Sequence, residues 1–432
     1  MRELIHRMDG DSRRAFLGRA ASSFLGVSVL SGLGARSAHA AREGREVSGH
    51  GTATSVIYIY LGGGMSHIDS LDPKPGQPTA GEFRPVSTAV DGITISEKLP
   101  RLATQMGHCA IIRSMTSKQG AHERGRYLMH TSYNQLATIQ HASIGAWVNK
   151  ALPRQNHNIP SNVLIGNGDN EVRAGFLGSQ YEPLIIGDPS AGLQNIKLVG
   201  GIDQSTFDHR RSLLDQLDTR FRDRFNNKGV KAYTEYYDEA VRMMKSSDVQ
   251  AFELDREPQA IQSEYGSERF GRGCLLARRL VEHGVRFVEI TNGGWDTHTD
   301  NFERLDEKLT EIDRGISALL HDLHRRGLLE STLVVLATEF GRTPKITERG
   351  GRDHYPRVFS CMLAGGGVRG GRVYGASDTT GAAVASDAVS PQDLNATIAY
   401  AMGIDHRMKV ISKIGRPFTL SDEGSPVTGL FA

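Results

Sequence analysis

Six short runs of apolar, largely β-branched residues, separated by stretches of helical periodicity, constrain the fold more than any other feature of this chain. They cover 56–61, 109–115, 162–166, 286–291, 332–338 and 358–364. Runs of this length without polar alternation read as parallel strands buried on both faces. Between them, 299–326 places Phe302, Leu305, Leu309, Ile312, Ile316, Leu319 and Leu323 at spacings of three and four, the apolar stripe of one helix. A second helical pattern covers about 266–283, and 390–402 reads as a helix capped by Ser390, with Pro391 and Asp393 in its first turn. Strands alternating with such helices predict an α/β fold, an open and mostly parallel sheet with helices on both faces. The segment from about 175 to 258 departs from this pattern. It is polar, with helix-like stretches at 212–225 and 231–245, and reads as a helical insertion within one domain spanning 41–432.

The first 40 residues are set apart from the fold. Arg13 and Arg14 precede Ala15, Phe16 and Leu17, then an apolar run at 24–33, then Ala38-His39-Ala40. That order is the order of a cleavable twin-arginine (Tat) signal peptide. The run is shorter than the roughly 20 apolar residues a membrane helix needs, and no later stretch reaches that length, so the mature chain is expected to have no span. The expected partner during export is the Tat translocase, and the expected location is periplasmic or extracellular. Tat substrates cross already folded, which favours an inorganic centre installed beforehand. With 51 Lys and Arg against 49 Asp and Glu, no basic field marks a nucleic-acid binder. Three cysteines, Cys109, Cys274 and Cys361, an odd and sparse count for an exported chain, argue against a disulfide framework.

Ligands of open parallel sheets bind beyond the carboxyl ends of the strands, so polar residues just after the runs are the candidates. His67 and Asp69 alternate after Gly62-Gly63-Gly64, and Asp296 and His298 alternate after Gly293-Gly294. Extended geometry points each such pair to one side. Glu339 ends an apolar run, and His354 follows Arg352 and Asp353 in a Gly-flanked loop. Carboxylate and imidazole together suit a divalent ion such as Zn, Mn, Ca or Fe. Competing roles are a helix cap for Asp296, an ion pair of Glu339 with Arg342 or Arg352, and a rigid turn for Asp72-Pro73-Lys74-Pro75. On a helix, His122 and Arg126 share a face, which suits gripping an oxyanion or simply facing water.

Taken together, the signal, Gly62-Gly63-Gly64-Met65-Ser66-His67-Ile68-Asp69, Asp72-Pro73-Lys74-Pro75, Trp295-Asp296-Thr297-His298, Thr338-Glu339-Phe340-Gly341-Arg342-Thr343-Pro344 and Gly351-Arg352-Asp353-His354 resemble the exported bacterial family catalogued as domain of unknown function 1501, over about 56–403. That family is similar in fold to alkaline phosphatases, sulfatases and phosphomutases. The resemblance implies hydrolysis of a phosphate or sulfate ester at a one- or two-metal centre, with an anionic ester or sulfated glycan as substrate. It implies metal ligands among His67, Asp69, Asp296, His298, Glu339 and His354, and places His122 at the nucleophile position with Arg126 or Arg342 on the anion. The fit is partial. Gly62-Gly63 stand where the superfamily has a metal-binding Asp, the Asp296 to His298 spacing is short, and Phe340 replaces a His. These departures, with no hydroxyl or thiol nucleophile, leave open a non-catalytic member that binds a glycan or a partner protein.

Overall fold

Strand β1 (Ser55–Gly62) carries Val56, Tyr58 and Tyr60 on one face and Ile57, Ile59 and Leu61 on the other, all buried. A strand apolar on both faces is stable only in the middle of a covered sheet. In the computed structural model, which describes residues 50–167, 172–193, 202–224 and 239–431, β1 lies between two parallel neighbours of an eight-stranded sheet. The twin-arginine segment and the stretches 194–201 and 225–238 lie outside the described residues. The other strands are β2 (Cys109–Met115), β3 (Asn162–Ile165), β4 (Leu184–Ile186), β5 (Phe287–Gly293), β6 (Thr332–Ala337), β7 (Phe359–Ala364) and β8 (Arg372–Tyr374). Their order across the sheet is β8-β2-β7-β6-β1-β5-β3-β4.

All six apolar runs are strands of this sheet, but one runs the other way. β7 is antiparallel to both β6 and β2, while the remaining pairings are parallel. The physical reason is the connection. No helix crosses back between β6 and β7; the chain instead makes a small hairpin, Gly341–Arg342 against His354–Tyr355, and enters β7 from the carboxyl edge. Residues 338–358 therefore all stay at the edge where ligands of such sheets bind. The edge strand β4 also lies inside the segment expected to be a helical insertion.

The longer helices among the described residues are α1 (His122–Thr131), α2 (Ile144–Ala151), α3 (Gln204–Arg224), α4 (Arg269–Glu282), α5 (Asn301–Arg325) and α6 (Pro391–Ala401). α4 and α5 cover the face of Ile57, Ile59 and Leu61; α1, α2 and α6 cover the opposite face. In α5, Leu309, Ile312, Ile316, Leu319 and Leu323 are fully buried, each worth roughly 1.5–3 kcal/mol of burial. An Ile316→Asp change would place an unpaired charge in that stripe. α6 begins with a capping box, Ser390 and Asp393 each satisfying the other's backbone N–H. Asp300, at left-handed φ 50, is the residue before α5, so Asp296 is not its cap.

Candidate metal centre

Four loops at the carboxyl edge deliver the site. The loop after β5 supplies Asp296 and His298, the turn after β6 supplies Glu339 and Arg342, the hairpin supplies Asp353 and His354, and the start of α1 supplies His122. Trp295, fully buried with its indole N–H donated to Asn292 Oδ1 at 2.9 Å, anchors the first of these. Gly63, at φ +124, lets the glycine loop pass there; a Cβ would meet Asp296 N at 2.5 Å. Gly125 lets α1 close on the sheet, since its Cβ would come 3.0 Å from Glu339 Cβ.

The outer nitrogen of each histidine is already committed. His122 Nδ1 lies 2.6 Å from Glu339 Oε1, His298 Nδ1 lies 2.8 Å from Asp353 Oδ1, and His354 Nδ1 lies 2.8 Å from the Gly120 carbonyl oxygen. All three partners are acceptors, so in each neutral imidazole the proton is assigned to Nδ1 and the lone pair to Nε2. Those Nε2 atoms converge on Asp296. His298 Nε2 and His354 Nε2 are 3.1 and 3.2 Å from Oδ1 and 3.0 Å from each other, and His122 Nε2 is 3.3 Å from Oδ2. His122 Nε2 is shielded from solvent and makes no hydrogen bond. Facing lone pairs repel unless a proton or a cation lies among them.

The charges agree with that geometry. Burial works to raise the Asp296 carboxyl, but the Arg342 guanidinium outweighs it and holds the group at about 2. Burial likewise pushes Glu339 upward, and the hydrogen bond from His122 with that from Tyr60 brings it below the usual carboxylate range. Glu339 is a buried carboxylate accepting from Tyr60 Oη at 2.9 Å and Gly63 N at 2.9 Å. His122 is raised by its bond to Glu339 against the effect of burial, while burial lowers His354. The buried ring of Phe340 packs against His122 and His354, with centroids 5.0 and 4.7 Å away.

The sequence-derived residues thus divide. His122, Asp296, His298 and His354 meet in one cluster, with His122, Asp296 and His354 offering ligand atoms within 4.8 Å of one another. Glu339 stands behind His122 rather than in the cluster. Asp69 lies outside it. Both its oxygens are held by Arg352, at 2.7 and 2.9 Å, with further donations from Ser66 and Asn301, all fully buried. His67 is fully buried too, its Nε2 donating to Gly381 O at 2.9 Å. Arg342 is fully buried and donates to Asp296, Trp295 O, Gly63 O, Gly64 O and Arg352 O, so in this arrangement its guanidinium is turned to the protein's own acceptors. Arg126, half-buried one turn after His122, acts electrostatically on Tyr60. Sequence reasoning missed Tyr60 and gave Asp353 no ligand-orienting role. Tyr60 sits at an inward-facing strand position where a buried hydroxyl needs a partner.

Over residues 53–431 the chain matches the family described as "Protein of unknown function (DUF1501)". A comparison with curated proteins found no match. Among solved structures, the PsFucS1 sulfatase from Pseudoalteromonas sp. is similar at 13% identity, covering 88% of this chain and 72% of that one, with a TM-score of 0.43. The lipoteichoic acid synthase LtaP from Listeria monocytogenes has 10% identity, covering 90% and 78%, with a TM-score of 0.37. The alkaline phosphatase from the Antarctic bacterium TAB5 has 12% identity, covering 76% and 96%, with a TM-score of 0.29. At such overlaps the chemistry of the centre rests on the chain's own residues.

Proposed function

We propose, from the premise that this chain belongs to the DUF1501 family, that it is an exported, metal-dependent hydrolase of an anionic ester, a phosphate or sulfate ester such as a sulfated glycan. The observation that carries this reading is the convergence of three histidine Nε2 lone pairs and the Asp296 carboxylate, with every Nδ1 proton directed outward. Ligand atoms about 2.0–2.1 Å from a shared ion sit roughly 3.3 Å apart in a tetrahedron; His298 Nε2, His354 Nε2 and Asp296 Oδ1 lie 3.0–3.2 Å from one another, and His122 Nε2 lies 3.3 Å from the other carboxylate oxygen, Oδ2. His122, His298, His354 and Asp296 would hold the ion, and Glu339, Asp353 and Gly120 O would fix the rings, as second partners of metal-binding histidines do. When bound, a divalent ion supplies Lewis acidity that polarises the ester and lowers the pKa of water.

The chain's own residues do the rest. Glu339, held by Tyr60 and Gly63, keeps a proton on His122 Nδ1. α1 starts at His122 with no side-chain cap, so its first N–H groups are available to an oxyanion, and Arg126 adds positive charge one turn on. Among the described residues no serine or threonine is hydrogen-bonded to His122, Asp296, His298 or His354, and the three cysteines are buried in the core. This favours direct attack by water over a covalent intermediate. Export rests on the twin-arginine segment, and the proposed location is periplasmic or extracellular.

One observation favours a second reading. Arg342 already neutralises Asp296 Oδ1 at 2.5 Å, as it would in a metal-free ion cluster that binds a glycan or a protein without turnover. Metal analysis of the protein purified without chelator, followed by aryl phosphate and aryl sulfate assays with Zn²⁺, Mn²⁺, Ca²⁺ and Fe²⁺, separates the two. Stoichiometric metal that is lost in a folded His354→Ala variant supports the hydrolase; absence of metal and turnover supports the binder.

A further inference from the structure

We infer that the β-hairpin at 408–418 is a membrane-surface contact that seats the protein on an anionic lipid bilayer. Val410 pairs with Phe418 and Ile411 with Pro417. Met408, Val410 and Phe418 pack on the core, and the strand alternation turns Ile411 outward. Ile411 is 63% exposed and Ile414, in the turn, 56%, ahead of every other large apolar side chain described. Around them Arg407, Lys409, Lys413 and Arg416 are exposed, and none is in an ion pair among the described residues. The acidic residues nearest in sequence, Asp405, Asp422 and Glu423, fall outside the strand pair.

The turn is held in shape. Ser412 N donates to Arg416 O at 2.8 Å and Gly415 N to Ser412 O at 2.9 Å, with Gly415 at φ 80. Its base is tied down by Tyr133, whose hydroxyl donates to Thr419 O at 3.1 Å and accepts from Thr419 N at 3.0 Å. A pre-ordered tip loses little conformational freedom on docking.

The mixture of side chains selects the occupant. A hydrophilic polyanion would reward the four cations but not two bare isoleucines. An apolar protein groove would reward the isoleucines but not the ring of cations. An anionic bilayer surface takes both, apolar side chains at the acyl boundary and ammonium or guanidinium groups among the headgroups. No helix among the described residues is long and apolar enough to cross a membrane, so the contact is peripheral. Tyr133 closely follows α1, whose first residue is His122, so the hairpin and the metal centre hang from opposite ends of one ten-residue helix, about 15 Å long.

The test is co-sedimentation of the full-length chain with phosphatidylglycerol/phosphatidylcholine vesicles and with phosphatidylcholine alone. Variants are compared in the same form, so that any contribution of residues 24–33 cancels. Binding is expected to the anionic vesicles. Ile411→Ser/Ile414→Ser should weaken it at least tenfold with an unchanged melting temperature, because both side chains are exposed. Lys409→Gln/Lys413→Gln/Arg416→Gln should weaken it about fivefold per charge and flatten its salt dependence. No binding to anionic vesicles overturns the inference, as does undiminished binding by the isoleucine variant. Equal capture of both variants' parent and the isoleucine variant by a sulfated polysaccharide, without vesicle binding, would identify a polyanion surface and overturn it too.

Discussion

Replacing Asp69 by Ala should destabilise the protein strongly and leave its metal content unchanged, whereas His298→Ala should do the reverse. Both residues stand in similar sequence settings, a carboxylate and an imidazole alternating after glycines. Asp69 accepts from Arg352 Nε and Nη2, from Ser66 and from Asn301, and it and Arg352 are wholly removed from water. Losing the carboxylate strands a buried guanidinium, a change that costs about 3–5 kcal/mol. Arg352 also donates to the carbonyl oxygens of Thr343, Pro344 and Thr79. A double Asp69→Leu/Arg352→Met variant removes both charges but leaves three carbonyls without that donor and Ser66 and Asn301 without that acceptor, at about 1 kcal/mol each. It should therefore lie about 5 kcal/mol below the parent, less than the roughly 6–10 kcal/mol of two independent losses. His298, half in solvent, should cost under about 1 kcal/mol on substitution. Urea unfolding of the four proteins, with metal analysis of each, reads both quantities. An Asp69→Ala variant that keeps its stability and sheds its metal would refute this assignment and return Asp69 to the ligand set.

Three other outcomes follow from the same geometry. In the metal-free protein His122 is raised, so its contribution is full below its unfolded value of about 6.5 and is lost as pH rises through its folded value; Glu339 is lowered, so its contribution is full above about 4.5 and is lost as pH falls. Melting temperature against pH should therefore show a shoulder between those limits that His122→Gln flattens, and metal affinity should fall about tenfold per pH unit below the folded His122 value. Tyr60→Phe removes a hydrogen bond to a buried carboxylate and should cost about 1.5–3 kcal/mol in denaturant unfolding, a loss under 0.5 kcal/mol being contrary. Arg13→Lys/Arg14→Lys should hold the precursor in the cytoplasm, as fractionation and immunoblotting will show, and normal export of that variant would remove the twin-arginine assignment.

What the sequence disclosed about this molecule follows from which forces are local. The apolar runs announce their burial residue by residue, so 56–61 and 332–338 could be read as strands buried on both faces, and Ser390 with Asp393 announces a cap within four residues. Strand direction is not local. Nothing in 358–364 distinguishes a strand entered through a crossover from one entered through a hairpin, and that difference keeps His354 beside Asp296. Nor does the pattern His-x-Asp or Asp-x-His say which carboxylate will be sealed in an ion pair and which will be left open. The answer for Asp69 lies in Arg352, 283 positions away, and for Asp296 in three histidines whose outer nitrogens are fixed by Glu339, Asp353 and the Gly120 carbonyl. Both carboxylates meet an arginine. Asp69 is sealed in with its partner and has both oxygens engaged, while Asp296 keeps 44% of its side chain open to solvent and turns Oδ2 toward an unbonded nitrogen. A structural ion pair is complete as built, and the Asp296 cluster is not, so the place for a ligand is found by asking where polar atoms of one sign have been brought together without the partner that would satisfy them.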